Sequence, residues 1–265
     1  MTMTVARTLP WMTAATALLE EVAATQADAI ETASQWSAEA IAADGLVHLF
    51  GTGHSRIPVE EMFPRYGSYP GFNPIVELSM TFHTQVVGSN GQRQAMFIER
   101  TPGLAEVILS NFSFGPRDLM IVFSAGGTTA VPVEIARGSR ARGLRVIAVT
   151  SVRQSMSSEI DPAVGGRLLD EADLVIDLCT PPADALVDVP GLDTPVGPGS
   201  TIAAVAIANS IKVRTAELLA ERGALPPVLT RASVVGAERS RTLFDDAYRE
   251  HARRIARAIG QQGGG

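Results

Sequence analysis

Residues 45–56 read GLVHLFGTGHSR. A short apolar run, Leu46–Phe50, drops straight into two glycines, a histidine and a serine. The spacing of residues 57–66 then predicts a helix with Pro58 in its first turn, where a missing N–H costs little. A strand, a glycine turn and a helix in that order form the unit of a parallel α/β sheet. Gly51-x-Gly53 opens like a dinucleotide fingerprint. Position 56, however, is arginine where that fingerprint needs a third glycine for close helix–strand packing.

The pattern repeats along the chain. Apolar runs at Leu119–Ser124, Leu144–Thr150 and Leu174–Cys179, with a shorter one at Pro74–Leu78, predict four more strands. Helical spacing covers residues 12–43, which read as one long N-terminal helix, and residues 101–110, with Thr101 as cap. It also covers 131–142, 200–222 and 236–259. Residues 84–95 are polar and read as a loop. Three of the strands are almost uninterruptedly apolar, as strands covered on both faces must be. The expectation is an α/β fold: a three-layer α/β/α sandwich on a five-stranded parallel sheet of flavodoxin-like order 2-1-3-4-5. Residues 1–44 would pack on it as a helical extension, 45–259 would form the domain, and 260–265 (GQQGGG) would be a disordered tail.

Two further loops share the design of GTGHSR. Ser124-Ala-Gly-Gly-Thr-Thr129 follows the third strand, and Gly197-Pro-Gly-Ser-Thr201 opens a helix that Ser200 or Thr201 would cap. Small residues let backbone N–H groups approach a ligand, and helix N-termini favour negative charge. In a 2-1-3-4-5 sheet the loops after strands one and three face each other across the crevice where ligands bind. A dinucleotide would use Glu77 as its ribose acid but would leave SAGGTT without a role. No GK[ST] follows any glycine loop, which excludes a P-loop.

Composition narrows the field. The 265 residues are 46% hydrophobic and 19% charged, with a net charge of −6 and no basic run, which argues against a nucleic-acid partner. A single cysteine, Cys179, excludes an internal disulfide and fits a reducing cytoplasm. Leu9–Leu19 has the look of a short signal segment, but Glu20 and Glu21 follow at once and the apolar spacing continues, so an amphipathic helix is expected. No run is long enough to span a membrane. His-x-x-x-His and similar metal pairs are absent, so neither a metal nor a cofactor is expected.

Taken together, Gly51-x-Gly53-x-Ser55, the Ser124–Thr128 loop and Gly197-Pro-Gly-Ser-Thr resemble the sugar isomerase (SIS) domain family. The stretches EEMFPRYG (60–67), AVPVEIA (130–136), GLRVIAVTS (143–151) and DALVDVPGLD (184–193) extend the likeness over about residues 10–250, toward a bacterial branch of that family. The resemblance implies a homodimer that binds a phosphosugar. It further implies phosphate contacts from Ser55, Ser124 and Thr128 or Thr129, with Ser200 nearby. To these the loops themselves add the backbone of Gly53, Gly126 and Gly127, the fixed cation of Arg56 and the neighbouring Thr201. Gly126 stands where relatives often carry a second serine. Pro195 stands where aminosugar-synthase relatives carry their basic glutamate. Either the base lies elsewhere or the site binds without turnover.

Aldose–ketose isomerisation needs a base within about 3 Å of a carbon-bound proton. Glu60 or Glu61, of which only one can face the crevice, and Glu99 are the candidates, with Asp193 weaker. His54 could open the sugar ring or bond to phosphate. A lyase removing an ether from a phosphorylated aminosugar is the third possibility. His48, mid-strand, reads as a satisfied core histidine, and His251 as exposed.

Overall fold

The structure is a computed structural model, and it describes residues 9–81 and 91–259. The expected tail at 260–265, His83 and the 84–90 part of the expected loop lie outside the described residues. Five parallel strands make one sheet in the order β2-β1-β3-β4-β5. They are β1 Val47–Gly51, β2 Phe72–Ile75, β3 Leu119–Phe123, β4 Arg145–Thr150 and β5 Leu174–Asp177. The register aligns Val47 with Phe72 on one side and with Leu119 on the other. β1 and β3 are buried along their whole length.

Alternation along these strands builds two cores. Val47, Leu49, Leu119, Ile121, Phe123, Ile147 and Val149 face one layer of helices. Phe50, Met120, Val122, Val146 and Ala148 face the other. The first layer contains α1 (Pro10–Thr25) and α2 (Ala27–Ala42), and the second contains α6 (Leu104–Leu109) and α7 (Ala130–Ala141). Between them in the chain lie α3 (Arg56–Glu61), α4 (Leu78–Thr81) and α5 (Gly91–Ile98). After α7 come α8 (Val152–Ser157), α9 (Ser200–Glu221), α10 (Ala232–Val235) and α11 (Ala237–Ile259).

Several expected boundaries are corrected. The single helix over 12–43 breaks at Gln26, whose φ of −111° and ψ of 5° leave the helical region. The Gln26 side chain accepts the Asp177 N–H at 2.9 Å, so the break lets it satisfy the edge of β5. α1 then packs Leu18 and Val22 into the core as an amphipathic helix. The helix expected over 57–66 stops at Glu61, because Pro64 disfavours helical backbone in the residue before it. β2 starts earlier than Pro74–Leu78 and carries Pro74 on an edge, where a missing donor is tolerated. Glu77 instead accepts the Met80 N–H at 3.0 Å and caps α4, which removes it as a ribose acid. Residues 91–95, expected as loop, begin α5. Thr101 does not cap α6: its N–H closes α5 on Ile98, and Gly103 at φ +83° takes the cap position. An antiparallel pair, β6 (Ala185–Val187) and β7 (Val196–Pro198), was not expected at all.

His48 is fully buried. Its Nδ1 accepts from Asn73 Nδ2 at 2.8 Å, which leaves Nε2–H to donate to Asp118 at 3.2 Å, the satisfied core histidine expected. His251 is half-buried rather than exposed, and burial pushes its pKa down. In the turn between α2 and β1, Asp44 ties α2 to α11. Hydrogen bonds from Arg253, with Arg257 adding to them against the cost of burial, hold its carboxyl well below the usual carboxylate range. A carboxyl lowered by folding stabilises the folded state above its unfolded pKa, and that stability is lost as pH falls. Wild type is therefore expected to exceed Asp44→Asn in thermal stability at neutral pH. The gap should close as pH drops below the ordinary aspartate value of 3.8. Thermal melts from pH 7 to pH 2.5 check it.

Candidate functional site

The site begins at Gly51. A Cβ there would lie 2.3 Å from the Ser55 carbonyl oxygen, so only glycine lets the chain double back over the end of β1. Gly53 follows at φ +55°, and Gly53–Ser55 make one 3-10 turn that runs into α3. After β3, the second loop turns at Gly127, where φ is +61° and a Cβ would sit 2.7 Å from Thr150 Oγ1. Ser124 Oγ accepts the Gly127 N–H at 3.3 Å and sets the loop's curvature. Thr129 occupies the cap position of α7 without a side-chain cap bond. Among the described residues the amides of Gly126, Thr128 and Thr129 have no hydrogen-bond partner. They sit at the positive end of a 12-residue helix.

The two loops form opposite walls of a cleft of about 480 Å³ at the carboxyl ends of the strands. That volume suits a small polar ligand. Of the residues singled out from sequence, Gly53, His54, Ser55, Glu99, Ser124, Gly126, Gly127, Thr128, Thr129, Ser200 and Thr201 line it. Arg56, Glu60 and Glu61 do not. Arg56 turns back to donate to the Gly53 carbonyl at 3.0 Å, with its Nε 3.3 Å from Glu60. Glu61 pairs with Arg65 at 2.8 Å. The buried Lys212 on α9 donates to the Glu61 carbonyl at 2.9 Å and fastens α3 to α9. These groups brace the first loop from behind.

Glu99 follows α5 and enters the cleft from the side. Thr52 Oγ1 donates to its carboxylate at 2.6 Å, and its carbonyl accepts the Val131 N–H from α7 at 2.9 Å. The residue is thereby tied to both the β1 loop and the second loop's helix. His54 is exposed at the mouth. The third loop departs from expectation. Neither Ser200 nor Thr201 caps α9: Gly199 holds the cap position, and the N–H groups of Gly199 and Ser200 go to the Asp184 carboxylate, the former also to the Asp184 carbonyl.

Thr52, Gln154 and Asp184 are cleft residues that sequence reasoning did not single out. Thr52 lay inside the quoted loop, in plain view. Gln154 is on α8, whose start is marked by the Ser151 cap accepting the Gln154 N–H at 3.2 Å. Asp184 reaches the cleft only through the β6–β7 fold-back, which has no local signature. Among the described residues no group of His, Cys, Asp and Glu is placed to hold a metal ion. No described helix is long and apolar enough to cross a membrane.

A model of the SIS domain matches residues 10–151 of the chain. A UPF0309 protein of Listeria monocytogenes serotype 4b is 32% identical over 233 residues, 88% of this chain and 92% of its own. One from Geobacillus kaustophilus is 32% identical over 232 residues, covering 88% of this chain and 90% of its own. Among solved structures, a phosphoheptose isomerase from Francisella tularensis superposes with a TM-score of 0.49 at 13% identity. That match covers 77% of this chain and 94% of the other. The sugar isomerase domain of an RpiR transcription factor from Sphaerobacter thermophilus gives 0.46 at 18% identity, over 92% and 99%. Neither structural likeness bears on what this chain does. The family model spans more than half the chain and the Listeria relative most of it, so the chain belongs to the SIS domain family.

Proposed function

We propose that this protein binds a sugar phosphate in the cleft between the β1 and β3 loops and interconverts its aldose and ketose forms. The observation that carries the reading is the Glu99 carboxylate, held by Thr52, in the same cleft as the open N-terminus of α7. The phosphate sits on the amides of Gly126, Thr128 and Thr129 with the hydroxyl of Ser124, and Ser55 closes the other side. Preorganised donors of this kind hold a dianion without reorganising. Glu99 takes the proton from the carbon next to the carbonyl and returns it to the former carbonyl carbon, while the proton of the adjacent hydroxyl passes to the carbonyl oxygen. His54, at the mouth, assists ring opening. The protein works as a homodimer in the cytoplasm, with neither nucleic acid, membrane nor cofactor as a partner. Light scattering tests the dimer.

The test of the chemistry is incubation with hexose, hexosamine and heptose phosphates in deuterated water. Deuterium at C2 of one of them is the expected result, and no exchange with any overturns isomerisation. Pro195, standing where a glutamate serves in aminosugar-synthase relatives, favours the second reading, binding without turnover. Ligand-induced thermal stabilisation without exchange identifies it. Release of lactate from a muramic acid phosphate would instead identify the ether-cleaving lyase. In either reading Ser55→Ala is expected to weaken sugar-phosphate binding by about tenfold, the worth of one charge-assisted hydrogen bond, with the melting temperature unchanged. Calorimetric titration measures it.

A further inference from the structure

Asp184 occupies the third loop in a way that fixes what that end of the cleft can accept. Its Oδ1 accepts the N–H groups of Gly199 at 3.2 Å and Ser200 at 2.7 Å, and its Oδ2 accepts the Ser200 hydroxyl at 2.7 Å. The N-terminus of the 22-residue α9 thus already holds an anion, supplied by the chain. The placement is rigid. Asp184 lies in the left-handed region at φ +62°, and its N–H bonds to the Pro181 carbonyl at 2.8 Å. A Cβ on Gly199 would meet Leu18 and Leu186 within 2.9 Å, so the loop is packed from behind.

The contrast with α7 is chemical. At α7 the amides are open and the cleft presents donors. At α9, beside Thr201, the cleft presents a carboxylate and a serine oxygen whose proton is already spent, so both of these accept. We propose that Asp184 is the specificity-determining residue of the cleft. It excludes a phosphoryl group from the α9 end and accepts sugar hydroxyls there, so that the ligand binds with its single phosphate at α7. This rests on the reading of the cleft as a sugar-phosphate site. A like charge placed against the wrong ligand is a general way of setting specificity.

Two variants test it. Asp184→Gly removes the carboxylate, frees the Ser200 N–H and suits a positive φ, while the residue 184 carbonyl still holds the Gly199 N–H. Asp184→Asn keeps a cap and tolerates that φ but loses the charge. Calorimetric titrations compare fructose 6-phosphate with fructose 1,6-bisphosphate, and phosphorus-31 line broadening follows inorganic phosphate. Wild type is expected to bind the bisphosphate at least about tenfold more weakly than the monophosphate. Asp184→Gly should abolish that preference and gain a phosphate site, and Asp184→Asn should narrow it. An unchanged preference in both folded variants, with no phosphate gained, overturns the role of Asp184. Wild type binding neither sugar overturns the reading of the cleft. A phosphate site gained by Asp184→Gly alone would still support exclusion by Asp184.

Discussion

Replacing Glu99 by glutamine lowers deuterium exchange at C2 of the responsive sugar phosphate by about a thousandfold, the range in which a positioned base acts. Glutamine retains an oxygen to accept from Thr52, now 2.6 Å from the carboxylate, so the side chain keeps its place. The capacity to take a proton is lost. Binding should therefore stay within about threefold of wild type, the signature of an interaction made in the transition state alone. Glu60→Gln and Glu61→Gln serve as comparisons, since neither side chain lines the cleft. A Glu99→Gln enzyme that exchanges at the wild-type rate would remove Glu99 as the base.

Arg254→Met lowers stability by about 3 kcal/mol, or roughly 6–12 °C in melting temperature. Arg254 on α11 is only 5% exposed. Its Nη1 donates to the carbonyls of Ile41 at 3.1 Å and Gly45 at 2.8 Å, and its Nε to Glu250 at 2.8 Å. Those carbonyls end α2 and lead into β1, so one guanidinium satisfies a helix end and fastens the last helix to the central strand. Methionine fills the space but leaves the carbonyls buried without a donor. Arg253→Met is the control. It is half exposed, and its ion pairs are worth about 1 kcal/mol or less. Urea unfolding followed by far-ultraviolet dichroism measures both, and equal losses would contradict the account.

The sheet was legible because β1, β3 and β4 are apolar runs bounded by glycine or turn residues, and burial on both faces leaves them little choice of composition. The order 2-1-3-4-5 followed from the fold class, and with it the meeting of the first two loops. What could not be read depends on long-range pairing. The helix break at Gln26 is set by a strand 151 positions away. Arg56 looked like a cation for the ligand because its position beside Ser55 was visible and its direction was not. The third loop looked like a third anion site for the same reason: its amides were visible, but Asp184, 16 positions earlier, was not seen to take them.

The most direct test of the central claim is a crystal structure of the full chain with fructose 6-phosphate. The account predicts the phosphate on the amides of Gly126, Thr128 and Thr129, the sugar hydroxyls toward Asp184 and Ser200, and Glu99 beside C1 and C2. A phosphate seated at the α9 end, or a sugar bound outside the cleft, would contradict it.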